Sequence, residues 1–349
     1  MQLDTGRNCM KFIMILIIFI HLIACQNQKE LNAQNENQKS VKVFSYENLN
    51  KSARKLAFIQ SQKDDGSILS ESLGFGDIYV YDLMDSILYR ITDNTNYEGE
   101  IAWSPDGKKI LFTSTKDKKY KYSDRDLTLY PDLYVFDFNN NADRIVMFHK
   151  NKMDFLIFSG LFWTTSGIYI GDERNIYLMD ENDKNLKSIL NLDKTFYIKR
   201  FVLSENENFI IYNYTTQGNS LYPKISVIDT KNSNKVVVEI DGYLLQNGKF
   251  ENAFIYSQDG SVKLFNIQKK ESSVIFSKNI DDTLIVGDAT FLDKENILFK
   301  AQENAVAKGM GIRDTRSRTY IGIYNLNNKS IWYPFSDLKQ KAHLTLYNK

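Results

Sequence analysis

The chain has 349 residues, 43% of them hydrophobic, and carries 44 basic against 43 acidic side chains. This length and composition allow one large core and fit a single large β domain. The near balance of charge argues against nucleic acid as a partner, because binding to a nucleic-acid backbone needs a clustered positive surface.

The N-terminus carries an apolar run at residues 12–23. This run is too short to cross a bilayer as a helix, but it suits the core of a signal peptide. It leads into Leu-Ile-Ala-Cys at residues 22–25, which resembles the lipobox of bacterial lipoproteins, whose cysteine is lipidated and becomes the first residue after cleavage. We therefore predict a lipoprotein signal peptide at residues 1–24, lipidation of Cys25, and a chain that is anchored to a membrane without spanning it.

The segment after Cys25 is rich in Gln, Asn, Lys and Glu, as expected of a solvated tether. We predict a flexible tether over residues 25–42 and a folded domain over residues 43–349. Gln26 stands where enterobacterial lipoproteins that stay at the inner membrane have Asp. By that resemblance, we expect attachment to the outer membrane of a bacterial cell envelope, facing the periplasm. Met1 and Met10 both remain candidate initiators.

The clearest structural signal is a strand–turn–strand motif at residues 101–114. Pro105 presets φ at the turn, Asp106 can bond the turn backbone, and Gly107 takes the left-handed conformation of a tight hairpin. The strand after the turn is apolar without alternation at residues 110–112. This pattern is typical of a strand that is covered on both faces.

A short aromatic and aliphatic strand that ends in Asp or Asn recurs six times. The copies lie at residues 77–82, 132–137, 175–180, 224–229, 261–266 and 320–325. Each copy follows a short apolar strand and precedes another strand, and the terminal Asp or Asn suits the turn between them. With the strand before each hairpin, the unit becomes four antiparallel strands. This repeat predicts an all-β fold, a six-bladed β-propeller of four-stranded antiparallel blades, because a β-sandwich does not need the same strand order six times.

Residues 103–112, Trp-Ser-Pro-Asp-Gly-Lys-Lys-Ile-Leu-Phe, followed by residues 132–137, resemble the repeat of TolB-like six-bladed propellers. Blades 3 to 6 have variants of the turn, such as Thr165-Ser166-Gly167 and Ser204-Glu205-Asn206-Glu207. The resemblance implies the propeller architecture without the N-terminal α/β domain of TolB, and a fold by itself does not imply a function.

The closure of the ring has two candidates. Residues 41–49 and residues 343–347 both have the pattern of a strand, and either segment could supply the innermost strand of the first blade. Closure between the two ends of the chain would remove free sheet edges.

The sequence contains no linear catalytic motif. It has no Gly-x-Ser-x-Gly elbow, phosphate loop or dinucleotide fingerprint. Three histidines, one of them in the leader, and no cysteine after Cys25 argue against a zinc site. We therefore predict that the protein is not an enzyme and has no cofactor and no metal.

Long inserts indicate where binding should occur. In a propeller, the connection between the second and third strands of each blade emerges on the same face as the connections between blades. Long inserts at residues 60–76, 115–131 and 301–319 belong to blades 1, 2 and 6, which are neighbours in a closed ring. Inserts on one face of a repeat array commonly carry binding.

The composition of these inserts suits recognition, because Arg and Tyr combine contact area with directional hydrogen bonds. The predicted binding residues are Tyr120, Tyr122, Asp124, Arg125, Asp126 and Tyr130 in blade 2 and Arg313, Arg316 and Arg318 in blade 6. The alternative is that the inserts are solvated and that their charges pair among themselves.

Two functions follow from these observations. The first is a lipid-anchored module of the cell envelope that binds an envelope protein or peptide. The alternative is a propeller enzyme or binding protein acting on carbohydrate, of the glycosidase or lyase type. A glycosidase would place two carboxylates about 5 to 10 Å apart in a deep central pocket.

Overall fold

The computed structural model of the protein describes residues 46–348, except for residues 53, 61–76, 94–97, 117–130, 148–157, 181–184, 217–218, 247, 278, 282–283, 304–318 and 334–340. The predicted signal peptide, the lipidation site Cys25 and the predicted tether lie outside the described residues and stay predictions.

The described part of the chain forms one short helix and six sheets. The helix α1 spans Glu47–Lys51. The strands of blades 1 and 2 are β1 Arg54–Gln60, β2 Asp77–Asp82, β3 Ile87–Arg90, β4 Glu98–Trp103, β5 Lys109–Ser114, β6 Asp132–Asp137 and β7 Ala142–Met147. The strands of blades 3 and 4 are β8 Gly160–Thr164, β9 Gly167–Gly171, β10 Asn175–Met179, β11 Leu186–Asn191, β12 Phe196–Leu203, β13 Phe209–Thr216, β14 Asn219–Asp229 and β15 Lys235–Asp241.

The remaining strands form blades 5 and 6 and close blade 1. They are β16 Tyr243–Leu244, β17 Ala253–Gln258, β18 Ser261–Asn266, β19 Glu271–Ser277, β20 Asn279–Asp281, β21 Leu284–Phe291, β22 Asn296–Glu303, β23 Thr319–Asn325, β24 Ile331–Trp332 and β25 Lys341–Asn348. Five sheets have four antiparallel strands, and the sheet of blade 6 gains a fifth strand, β20. The predicted six-bladed propeller is confirmed.

Six apolar clusters hold the blades together, and each cluster lies between two successive blades. Strand β5 shows why its apolar run does not alternate. Ile110 and Phe112 pack toward blade 1, and Leu111 between them packs toward blade 3. Both faces of a middle strand are therefore removed from water, which stabilises the ring through the hydrophobic effect.

The ring closes through the C-terminal strand. β25 pairs with β1 in an antiparallel ladder that runs from Arg54 opposite Asn348 to Gln60 opposite Lys341. Of the two candidates for closure, the segment around residues 343–347 therefore supplies the innermost strand. The other candidate, a strand over residues 41–49, is wrong for its described part. Residues Glu47–Lys51 are helical there, because buried Leu49 packs in the cluster between blades 1 and 2.

The turn between the first two strands has the same geometry in blades 2 and 4. In blade 2, the Ser104 hydroxyl accepts a hydrogen bond from the backbone N–H of Lys109 at 2.9 Å, and Gly107 has a φ of 67°. In blade 4, the Ser204 hydroxyl accepts from the N–H of Phe209 at 2.9 Å, and Glu207 has a φ of 58°. The variant turn of blade 4 thus places a glutamate in a conformation that favours glycine.

A buried lysine joins blade 1 to this turn of blade 2. The ammonium group of Lys55 donates to the carbonyl oxygen of Gly107 at 2.7 Å and lies 5.5 Å from the centroid of the Trp103 ring. Burial lowers the pKa of Lys55 to about 8, although Asp82 and Asp106 oppose the shift. The contact explains how a fully buried amine is satisfied.

Truncation tests the closure by β25. A chain that ends at residue 340 should lose its cooperative unfolding transition, because blade 1 would lack its innermost strand and the loss would be comparable to the net stability of a domain, about 5–15 kcal/mol. The measurement is thermal unfolding followed by circular dichroism. Deletion of residue 349 alone leaves β25 intact and is the control. An unchanged transition in the shorter chain would refute closure by β25, and a peptide of residues 340–349 added in trans should restore it.

Substitution of Glu207 tests the strained turn of blade 4. Both Glu207→Gly and Glu207→Ala remove the hydrogen bond that the Tyr169 hydroxyl donates to the Glu207 carboxylate at 3.1 Å. Only glycine relieves the positive φ, so we expect the glycine variant to be more stable than the alanine variant by about 1 kcal/mol. Urea denaturation of the two variants gives this difference. Equal stabilities would show that the positive φ carries no strain.

Candidate functional site

The three inserts leave the ring at equivalent positions in blades 1, 2 and 6. The connections between the second and third strands are residues 61–76, 115–131 and 304–318, and the corresponding connection in blade 5 is only Asp259 and Gly260. The blade 6 connection is shorter than predicted, since β22 continues to Glu303. Apolar clusters join blade 6 to blade 1 and blade 1 to blade 2, so the bases of the inserts are adjacent.

The nine predicted binding residues lie within these inserts. Tyr120, Tyr122, Asp124, Arg125, Asp126, Tyr130, Arg313, Arg316 and Arg318 all fall outside the described residues. Their assignment as a binding surface therefore stays a prediction, and the structure describes the strand ends that carry them.

Polar side chains hold the strand ends at the bases of two inserts. In blade 2, the Ser114 hydroxyl donates to buried Glu98 at 3.2 Å. The Lys116 ammonium pairs with Asp143 at 2.6 Å and lies 4.9 Å from the Tyr134 ring centroid. In blade 1, Asp77 forms an ion pair with Arg90 and accepts a hydrogen bond from the Thr92 hydroxyl at 3.3 Å. These contacts hold in place the strand ends to which the inserts are attached.

Blade 4 adds a long hairpin on the same face, which the sequence analysis missed. Its strands β13 and β14 are joined through residues 217–218, and β14 is the longest strand in the described part of the chain. In the ring order, blade 4 lies opposite blade 1. Glu239 accepts from the Tyr214 hydroxyl at 2.8 Å and from the Lys224 ammonium at 2.9 Å, which braces the hairpin. The extended β-branched and aromatic runs around residues 209–229 are the signal that could have revealed it.

The centre of the ring holds a charged cluster of Arg200, Asp288 and Lys300. Arg200 belongs to β12, the first strand of blade 4, and its Nη2 lies 2.5 Å from Asp288 Oδ1 on β21, which in blade 6 lies between the short edge strand β20 and β22. Lys300 Nζ lies 2.7 Å from Asp288 Oδ2. The ion pair therefore connects two blades that are not neighbours, and it passes the short inner strand of blade 5.

Two β-bulges aim these side chains. The register of β12 against β13 shifts between Ile198 and Arg200, and the register of β21 against β22 shifts between Val286 and Asp288. An extra residue in one strand bends it and redirects the next side chain, and bulges are frequent beside functional sites. Here the redirected side chains are the two partners of the ion pair.

Electrostatics keep Asp288 and Arg200 ionised. Burial by itself would raise the pKa of Asp288, but attraction to Arg200 and Lys300 outweighs it and holds that pKa well below the ordinary range of a carboxyl group. Burial would lower the pKa of Arg200, and Asp288 more than offsets this, so the guanidinium stays charged. No pattern in the sequence could have identified this pair, because its members come from distant repeats.

The part of the chain that the structure describes contains no group of three or more His, Cys, Asp or Glu side chains placed to hold a metal ion. Among the same residues, no helix has the length and apolar character needed to cross a membrane.

Asp288 is the residue whose replacement should disturb the cluster most. In Asp288→Asn, two cations lose their counter-charge, and we expect the free energy of unfolding at pH 7 to fall by about 3 kcal/mol. Because the folded-state pKa of Asp288 is lowered, its contribution is complete above the unfolded pKa of about 4 and declines as the pH falls below that value. Chemical denaturation at several pH values measures the difference between wild type and variant.

Asp259→Asn is the control for this experiment. Its carboxylate also pairs with a lysine, Lys263, but at 3.6 Å and on the surface, so its loss should cost less than about 1 kcal/mol. Equal effects of the two substitutions would contradict a stabilising role of the central cluster.

Comparison with known proteins gives structural neighbours only. No family model and no curated protein sequence matches the chain. The structure of TolB from Acinetobacter baumannii is similar with a TM-score of 0.54 and 13% identity, over 84% of this chain and 67% of that chain. A chain of the nidogen/laminin complex is similar with a TM-score of 0.55 and 9% identity, over 84% of this chain and 98% of that chain.

A third neighbour is more distant. Oligogalacturonate lyase in complex with manganese reaches a TM-score of 0.49 at 12% identity, over 73% of this chain and 72% of that chain, which supports no inference. Identities this low show the fold alone. The chain therefore has a TolB-like six-bladed propeller fold, as the motif at residues 103–112 predicts.

Proposed function

We propose that this protein is a lipid-anchored binding module of the bacterial cell envelope, which holds an envelope protein or peptide on one face of its propeller. The observation that carries the proposal is the position of the long inserts. They leave the ring from three consecutive blades, 6, 1 and 2, on one face. A rigid ring with inserts on one side is a common arrangement for recognition.

The setting of the proposed function comes from the N-terminal sequence and the fold. The lipobox-like residues 22–25 support an anchor at Cys25, and the likeness to TolB supports the bacterial periplasm or envelope. Gln26 after the lipobox supports attachment to the outer membrane. The nidogen/laminin neighbour belongs to a complex between two proteins, which is consistent with protein recognition by this fold. The near-neutral charge supports a partner other than nucleic acid.

The environment of the central carboxylate Asp288 supports a binding role over glycosidase chemistry at that position. A glycosidase needs a general acid whose pKa is raised, paired with a second carboxylate. At the centre of the ring, Asp288 has a lowered pKa and is held by two cations. This environment suits a structural or ligand-positioning carboxylate rather than a proton donor.

Capture from envelope extract tests the proposed function. The variant Arg313→Gln/Arg316→Gln/Arg318→Gln should retain the wild-type melting temperature and should capture its partner at least about tenfold less efficiently, because Arg is frequent among residues that dominate binding energy. The measurement is pull-down with the detergent-solubilised full chain, followed by quantitative mass spectrometry.

The matched control removes three positive charges on the other face of the propeller, which does not carry the inserts. Lys231, Lys235 and Lys269 are exposed at turns between third and fourth strands, and their change to Gln should leave capture unchanged. Equal capture by both triple variants and the wild type would refute the insert surface as the binding site.

A further inference from the structure

The two cations of the central cluster are more exposed than the carboxylate that pairs with them. The Asp288 side chain is only 6% exposed, whereas the side chains of Arg200 and Lys300 are 32% and 22% exposed. The single carboxylate is thus covered, and the two cations that pair with it keep part of their surface accessible. An incoming ligand group would contact a guanidinium and an ammonium.

Both cations have hydrogen-bond donors to spare. Lys300 has three N–H donors, and within the described part of the chain its one acceptor is Asp288 Oδ2. Arg200 has five donors. Its Nη1 lies at the outer limit of hydrogen bonding, 3.5 Å from the carbonyl oxygens of Leu244 and Leu245, and its Nε has no acceptor among the described residues. Charged donors without acceptors in a partly buried place favour binding of an anion.

The charge balance indicates which anion fits. Arg200 and Lys300 carry two positive charges against one on Asp288, and the negative charge of Glu100 on β4 also acts on Arg200. The three side chains in direct contact, Arg200, Lys300 and Asp288, have a net charge of +1, which one negative charge neutralises and a phosphate dianion exceeds. A carboxylate has that charge, and its two oxygens match the planar donors of a guanidinium.

We propose that Arg200 and Lys300 form a subsite for a carboxylate group of the ligand, with Asp288 as the residue that positions both cations. This inference rests on the proposed binding function and adds the chemistry of the bound molecule. The carboxylate belongs either to a peptide, as an acidic side chain or a free C-terminus, or to a small carboxylic acid that enters the channel alone.

Titration calorimetry on the full chain tests the subsite with five probes. They are an acetylated and amidated tripeptide that ends in glutamate, the same tripeptide with glutamine in that place, an acetylated trialanine with a free C-terminus, glutarate, and inorganic phosphate. We expect the carboxylate probes to bind at least about tenfold more tightly than the glutamine peptide, because one charge-assisted hydrogen bond accounts for a difference in affinity of that size. Tighter binding of the peptides than of glutarate assigns the carboxylate to a peptide, and the reverse assigns it to a small acid.

Two variants separate binding from folding. Lys300→Gln keeps the pair between Arg200 and Asp288 and should weaken carboxylate binding about tenfold. The double variant Arg200→Gln/Asp288→Asn removes the guanidinium without leaving a lone buried carboxylate, and it should abolish the preference for glutamate over glutamine. Lys269→Gln, which removes an exposed lysine at the turn between the third and fourth strands of blade 5, is the control and should bind as the wild type does.

Several results would overturn the subsite. They are equal affinity for the glutamate and glutamine peptides, wild-type affinity in Lys300→Gln, tighter binding of phosphate than of any carboxylate, or no binding of a carboxylate probe at about 10 mM. Failure of the subsite can be distinguished from failure of the proposed function. Loss of capture in the insert variant with no carboxylate binding would leave the insert surface standing and remove the subsite alone, and the opposite pattern would remove the insert surface alone.

Discussion

Pairing of β25 with β1 is the constraint on which the rest of the molecule depends. A four-stranded blade has two sheet edges, and an open arc of blades would leave apolar faces at both ends exposed to water. The C-terminal strand completes blade 1 and contacts blade 2, so both ends are covered at once. The N-terminal helix then seals the same junction with Leu49.

Closure also determines the geometry of the loop-bearing face. Because blade 6 packs on blade 1 and blade 1 packs on blade 2, inserts that are far apart in the sequence start from adjacent blades. The hairpin of blade 4 is on the same face, across the ring from blade 1. A molecule bound over the channel mouth would therefore lie between the inserts and this hairpin. Ion pairs and hydrogen bonds at Glu98, Lys116 and Asp77 fix the starting points of the inserts.

The charged cluster in the channel depends on the ring as well. Arg200 and Asp288 can pair because the ring brings β12 of blade 4 and β21 of blade 6 within contact of each other. Burial of such charges is costly unless each is satisfied, and the cost is offset here by two cations on one carboxylate.

The sequence by itself determined the repeat, the number of blades and the turn chemistry. Strand patterns and Asp or Asn turn residues are local features, and the terminal residues do bond their turns, as Asp137 accepts from the N–H of Asn139 at 2.9 Å and Asp229 from that of Lys231 at 2.9 Å. The turn at residues 104–107 also follows from its residue types, as Gly107 shows with a positive φ.

Only the tertiary structure decided which terminus closes the ring, how far the blade 4 hairpin extends, and which charges meet in the channel. The strand patterns at residues 41–49 and 343–347 are equivalent in the sequence, but in the assembled ring β25 pairs with β1 and Leu49 packs from a helix between blades 1 and 2. Arg200 and Asp288 appear in the sequence as ordinary charged residues within strands. They become a pair because a bulge redirects each side chain and because the ring brings their two strands close together.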